Sequence, residues 1–470
     1  MRRSASAATL AAASGSACAH GFGQRYDLPI PLTLYACGAA LTIVVSCLMF
    51  AVYARAPKDD GYPRWNLLAT AIGRLLASPP AVAAIRLAAV AVFAFVLFAG
   101  FFGNQNPFRN VVPVTVWALW WVGLAYVSAL LGDLWKVANP LETIFAAFER
   151  WRGGRALSLG LALPHWIQAW PAVVLYLGFL WLEMAWSGSD SPRGIATVIA
   201  AYAALTWAGM WAFGRETWLA HGEVFSLVFG TLTRFSPMRI GLSDRRITEW
   251  HLRPYAVGLF ERDPLDGSRI AMVILILAAV TFDGFLETPA WAAIAEAIAP
   301  EDAHWPRSAG LVFAPLLFGA IFLFFCRLIA FGGGARVDVS PQRIAGLFVL
   351  TLVPIAIAYQ FAHYLSFLVQ ASQYMVPLAS DPFGWGWNLF RTVNDFVRVN
   401  VLDARFVWIA SLVAIIAGHV AALFLAHSLS VREFRDRRAA LRSQLPMLVL
   451  MVAYTMSSLW IVAQPIVSTR

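Results

Sequence analysis

Ten apolar stretches run through this chain, near 28–53, 85–102, 111–131, 160–186, 193–214, 269–288, 309–331, 343–371, 406–428 and 445–466. Each approaches or exceeds the roughly 20 residues a helix needs to cross a hydrocarbon core about 30 Å thick. Hydrophobic residues make up 60% of the chain and charged ones 13%, too little polar surface to close as a water-soluble globule. In lipid the backbone must satisfy its own hydrogen bonds, so the spans are expected to be helices. The predicted fold class is all-α: a polytopic membrane helix bundle of about ten transmembrane helices, in contact with lipid.

The net charge of +9 does not point to nucleic acid, because the basic residues sit in short loops between apolar runs and form no continuous stripe. They read as topology signals. Alternate connections, at 55–86, 132–159, 215–269, 332–343 and 429–444, carry 24 Lys and Arg, whereas the other connections carry eight from residue 20 onward. By the positive-inside rule the arginine-rich side is cytoplasmic, which places both ends of the mature chain outside.

Residues 1–19 form a separate object, with Arg2 and Arg3 ahead of a small, weakly apolar stretch ending in Ala17, Cys18 and Ala19. This is the pattern of a cleaved signal peptide, leaving 20–470 as a single integral-membrane helical domain. Cleavage there would expose His20 as the first residue, offering an amine and an imidazole together, a donor pair that suits copper or zinc. Alternatively, His20 merely follows the cleavage site. Cys37 and Cys47 in the first span and Cys326 in the seventh form no C-x-x-C pair, which excludes a disulfide framework and a zinc ribbon. They read as packing residues.

Ionisable and strongly polar groups inside apolar spans cost several kcal/mol each unless paired or hydrated, and so are functional candidates. In the eighth span Tyr359, His363, Ser366 and Gln370 share one helix face, followed by Gln373 and Tyr374. Asp283 and Glu287 stand one turn apart on the sixth span, a carboxylate pair that can bind a cation or share a proton. Glu287 can equally cap the helix end. Glu183, near the outer end of the fourth span, reads as interfacial. His419 and His427, eight residues apart on the ninth span, and His165 on the fourth read as structural or as parts of a proton path. Arg327 is expected to snorkel to lipid phosphates.

In the long 215–269 connection Trp218, Phe225, Phe229 and Leu232 can share a face opposite Glu216 and Glu223, predicting a helix lying on the membrane surface. Trp385 and Trp387 suit an aromatic belt, or a cover over a site. No P-loop or nucleotide-binding glycine pattern occurs, so no nucleotide cofactor is expected. Prolines 164, 171, 315 and 354 supply the helix breaks that secondary transporters use.

The runs HGFGQRYDLPIPL, TFDGFLETPAW, AHYLSFLVQ with DPFGWGWNLF, and SQLPMLVLMVAYT together resemble a bacterial membrane family, some of whose members carry the name fenitrothion hydrolase. The resemblance implies a bacterial inner-membrane location and hydrolysis of organophosphorus aryl esters. Joined to the residue reading, it yields a hypothetical metal-assisted site. Copper or zinc would be held by some of His20, Asp283, Glu287 and His363, with His363, Asp283 and Glu287 as the catalytic candidates acting on a small apolar substrate. The competing reading is a copper-handling or small-solute transporter, in which His419, His427, Tyr359 and Gln370 line a proton or solute path. A third is a noncatalytic subunit that works with a membrane partner.

Overall fold

The computed structural model describes residues 26–53, 62–154, 156–260, 263–300, 302, 304–332, 340–395, 397–398, 401–434 and 436–468. His20 and the leader at 1–19 lie outside the described residues. Among those described, nine helices are long and apolar enough to cross a membrane. They are α1 (Leu32–Tyr53), α2 (Pro79–Phe102), α3 (Val111–Leu130), α5 (Pro192–Phe213), α6 (Gly267–Leu286), α7 (His304–Gly332), α8 (Pro341–Ser380), α9 (Ala404–Glu433) and α10 (Arg437–Ile466).

The remaining expected span, 160–186, contracts to the 15-residue helix α4, Trp170–Met184. Pro171 starts that helix, and the segment before it runs irregularly over Gly160, which has positive φ, and Pro164. Backbone bonds from Leu159 and Leu161 to the carbonyls of Trp211 and Ala212 tie this segment to the end of α5. Proline has no N–H to donate to a helical ladder, so the helix begins only where the prolines permit it. At 1.5 Å per residue α4 is about 22 Å long, short of a full crossing.

The core is built around α6 and α8, the two spans most buried by their neighbours. On α8 a 3-10 turn at Val349–Leu352 precedes Pro354, which cannot donate to the ladder, and the helix resumes as Val353–Gln373. Helix α9 packs closely on this segment: a Cβ at Gly418 would fall 2.5 Å from Ala358 Cβ and 2.8 Å from the Pro354 carbonyl. Ten residues of α3, Val114–Gly123, are wound as a π-helix, a form that recurs at functional sites. It presents Trp120 and Trp121 to Phe225 and Phe179, at ring-centroid distances of 4.5 and 4.8 Å.

The helix expected on the membrane surface is instead inside the protein. The chain turns at Gly214 and again at Gly222 and Glu223, and Val224–Thr233 inserts with Val224, Phe225, Val228, Phe229 and Leu232 all buried. Its apolar side meets tryptophans rather than lipid. On the same arginine-rich side lie β3 (Met238–Ser243) and β4 (Arg246–Leu252), paired antiparallel, with β2 (Trp65–Asn66) on the free edge of β4. The order is β2-β4-β3. A two-residue parallel pairing joins β1 (Tyr26–Asp27) to β5 (Val467–Ser468) beside the opposite ends of α1 and α10.

The Trp385 loop packs on the end of α2. Phe383 stands 5.4 Å from Phe98 and 4.6 Å from Trp385 between ring centroids. Asp381 accepts from the amides of Trp385 and Gly386 and fixes the turn. Trp385 and Trp387 stay half exposed, as an aromatic belt requires.

Candidate functional site: a buried carboxylate, histidine and tyrosine cluster

Asp283 lies three residues from the end of α6, where the helix meets the middle of α8. Its Oδ2 accepts two hydrogen bonds, one from His363 Nε2 at 2.8 Å and one from the hydroxyl of Tyr364. His363 is 4% exposed and the Asp283 side chain 24%. Successive residues on a helix point about 100° apart, so His363 and Tyr364 reach one oxygen only because α6 ends beside the seam between them. Glu287 caps α6 one turn further on and acts electrostatically on His363 and Tyr359. Gln370 lies two turns beyond His363 on α8 and is half-buried.

Glu183, expected at the interface, faces inward and acts on Asp283 and Tyr364. The Trp121 indole approaches it, yet neither Trp121 Nε1 nor Glu183 Oε2 closes a hydrogen bond of ordinary geometry. Between them and Tyr364, Tyr176, Tyr126 and Gln360 is a cavity of about 30 Å³. That is room for one or two waters, which need roughly 10–15 Å³ each by this measure, and far too little for an aryl ester.

From Asp283 a line of polar side chains continues into the bundle. The Tyr359 ring is 6.5 Å from that of His363, and its hydroxyl is buried with no partner, pressed against Gly284, where a Cβ would come within 2.8 Å. Further along, the Tyr454 hydroxyl is hydrogen-bonded to Thr281. The Tyr454 ring lies 5.6 Å from that of His419. His419 Nδ1 donates to the Ile415 carbonyl at 2.8 Å, which leaves Nε2 buried and without a partner. Two turns further along α9, His427 Nδ1 bonds to Gln444 Oε1 at 2.9 Å and its Nε2 is likewise unpartnered. Ala422, Leu423 and Ala426 lie between the two histidines, so the polar line is interrupted there. His165 is exposed in a turn ahead of α4 and takes no part.

Of the four expected metal ligands, the structure brings Asp283 and His363 into direct contact and leaves Glu287 at the helix end. Among the described residues no group of three or more His, Cys, Asp or Glu is arranged to hold a metal ion. The shared oxygen of Asp283 already takes two donors. Asp283 and His363 thus form a hydrogen-bonded pair joined by Tyr364, and His20, the fourth expected ligand, lies outside the described residues.

Tyr364 escaped the sequence reading, and the structure gives Glu183 and Glu223 surroundings other than those expected. Tyr364 is adjacent to His363 and was legible as a second polar residue, but its neighbour on the helix surface is not a position in the same face. Glu183 was legible as a charge but not as an inward one. Glu223 is fully buried and accepts from Tyr202 Oη at 2.6 Å, Trp135 Nε1 at 3.1 Å, the amides of Phe225 and Ser226, and the Ser226 hydroxyl. Five donors around one carboxylate, at the start of the inserted helix, make it the anchor of that segment.

No family model, curated protein or solved structure matches this chain. The fold and the cluster define it as a multi-pass helical membrane protein with an ionisable interior.

Proposed function

We propose that this chain is a proton-handling membrane transporter of a small solute, with Asp283, His363 and Tyr364 as its proton-binding element. The observation that carries the reading is the single Asp283 oxygen shared by an imidazole and a phenol inside the bundle. Adding a proton to the imidazole converts a neutral histidine beside a carboxylate into an ion pair, so the cluster changes charge by one unit. In a medium of low dielectric constant such a change can bias two packings of α6 against α8. Tyr359, Tyr454 and His419 extend the relay toward the middle of the bundle, and the interrupted stretch before His427 is where a conformational step would be required.

The test is proton flux into proteoliposomes loaded with a pH-sensitive dye under an imposed pH gradient and a clamped potential. Wild-type protein is expected to dissipate the gradient, and Asp283→Asn, His363→Ala and His419→Ala are expected to slow it at least about tenfold, the equivalent of about 1.4 kcal/mol in the barrier. Wild-type flux no faster than that of empty liposomes, or variants as fast as wild type, overturns the reading.

A second reading follows the family resemblance: hydrolysis of an organophosphorus aryl ester in the inner membrane of a bacterium. It is favoured by the Asp283–His363 pairing, which is the arrangement that orients a histidine as general base. Turnover of a chromogenic aryl phosphate by purified protein, abolished in His363→Ala and unaccompanied by proton flux, would place this reading first.

A further inference from the structure

Two buried polar atoms without protein partners belong to residues that line one cavity. Trp121 is 5% exposed, and its indole Nε1 is enclosed with no acceptor. Glu183 is half-buried as a residue, yet its Oε2 is enclosed and takes no donor. Both line the cavity of about 30 Å³, and so does Tyr364, whose hydroxyl donates to Asp283.

The chemistry of these groups selects what can sit between them. An indole N–H only donates and a carboxylate oxygen accepts, so a molecule joining them must do both. A cation would be repelled by the N–H, and Glu183 supplies the one carboxylate among the described residues that line the space. Water accepts from the indole and donates to the carboxylate, it fits the volume, and it removes the cost of leaving two buried groups unpaired.

The position of Glu183 gives that water a direction. It is the penultimate residue of α4, which ends at Met184 on the arginine-poor side. Just beyond, the exposed His304 at the start of α7 is hydrogen-bonded through Nδ1 to the carbonyl of Ala185 at 2.7 Å. Toward the interior, Glu183 acts electrostatically on Asp283. A carboxyl group thus stands between an exposed end of the bundle and the proton-binding cluster.

We propose that this cavity holds water bound between the Trp121 indole and Glu183, and that Glu183 passes protons through it from the arginine-poor side to Asp283. The proposal deepens the proton-handling reading, and its functional half rests on that reading. The transfer is a relay. The Glu183 carboxyl gives a proton to the water, the water gives one of its own to the Tyr364 oxygen, and the Tyr364 hydroxyl proton crosses its existing hydrogen bond to Asp283 Oδ2. Glu183 loses one proton and Asp283 gains one, while water and phenol end with the number they began with.

The water is tested without reference to activity, by solid-state NMR of the full chain in lipid bilayers with isotope-labelled indole nitrogens. Magnetisation is transferred from water to the indole N–H groups, and signals are assigned with Trp121→Phe and Trp408→Phe. Trp408 Nε1 is also buried without a partner but does not line this cavity, so it serves as the internal reference. Transfer is expected at Trp121 and not at Trp408; no transfer at Trp121, or equal transfer at both, overturns the proposal. The relay is tested by proton flux in proteoliposomes. Glu183→Gln, which keeps the shape and loses the proton, is expected to slow flux at least about tenfold. Glu183→Asp retains a carboxyl and is expected to recover most of the flux, which a packing role would not predict. Ala125→Val, which adds bulk to the cavity lining, is expected to abolish water transfer to Trp121 and to slow flux as Glu183→Gln does. Glu183→Gln as fast as wild type, or Glu183→Asp as slow as Glu183→Gln, overturns this inference and leaves the transport reading standing. Wild-type flux no faster than that of empty liposomes overturns the transport reading and the relay together.

Discussion

The pairing of Tyr364 with Asp283 can be tested as an energy, independently of any activity. Tyr364 is 7% exposed and its hydroxyl donates to the oxygen that also accepts from His363. Tyr364→Phe removes one hydrogen bond to a charged acceptor and leaves a gap no larger than an oxygen atom, so the expected cost is about 1.5–3 kcal/mol. Asp283→Asn keeps the volume but replaces a carboxylate that takes both donors by an amide with one acceptor atom, and its own cost is expected to be similar. In the double variant the tyrosine's loss should be smaller, because the neutral amide rewards a single donor less than the carboxylate does. The two changes should therefore fall short of additivity by about 1–2 kcal/mol. The assay is equilibrium unfolding in mixed micelles, followed by helix ellipticity, for wild type, both single variants and the double variant. Effects that add to within about 0.3 kcal/mol would mean that the two side chains do not share a bond, and the proton-binding assignment would fall with it.

Other outcomes follow from single environments. Glu223→Ala strands five donors in the interior and is expected to cost about 3 kcal/mol or more, against roughly half that for the isosteric Glu223→Gln, measured by thermal unfolding in detergent. Burial raises the carboxyl of Asp133, in the loop after α3, to about 6, with the charge of Glu223 adding to the rise and the amide and charge of Lys136 opposing it. A folded-state value above the ordinary one means that the protonated form is favoured by folding. This contribution is therefore complete below about pH 4, falls as the pH rises through about 6, and amounts to no more than about 3 kcal/mol. Asp133→Asn, which keeps the cap oxygen, should flatten that part of the stability profile. Gly418→Val is expected to separate α8 from α9 at a cost of about 1–3 kcal/mol, because a Cβ there already meets Ala358 and the Pro354 carbonyl; an unchanged unfolding midpoint would show the contact to be loose.

Residues that interrupt a pattern carried most of the information legible from the sequence. The spans follow from hydropathy because lipid leaves the backbone no alternative to the helix. Asp283 and His363 stood out as ionisable groups in apolar runs, and the structure puts them 2.8 Å apart. What the sequence could not supply was contact across helices. Glu287 lies on the same helix face as Asp283, yet the partners of Asp283 come from α8, which is 80 residues away along the chain. The amphipathic stretch around Phe225 illustrates the same limit. Its periodicity establishes that one side is apolar but not whether lipid or Trp120 and Trp121 cover it. Pro164 and Pro171 were read as breaks inside a span, and they act as its boundary.

The interior of this bundle divides its polar groups into two kinds, and the division argues for where motion resides. Glu223 has every oxygen engaged, so any movement of the inserted helix must break several bonds at once, and that segment behaves as fixed framework. The line from Glu183 through Tyr359 to His419 is different: Glu183 Oε2, Trp121 Nε1, Tyr359 Oη and His419 Nε2 are buried without protein partners. Unmade bonds of that kind cost about 1–3 kcal/mol each in a rigid dry interior. They are tolerable where water enters or where an alternative packing satisfies them. The cavity beside Glu183 offers space for the first. The end of α6 beside Asp283, where Gly284 allows Tyr359 to lie against the helix backbone, offers a place for the second. A proton arriving at His363 would act at the junction between the fixed part and the unsatisfied part, which is where a change of one charge has the most packing to shift.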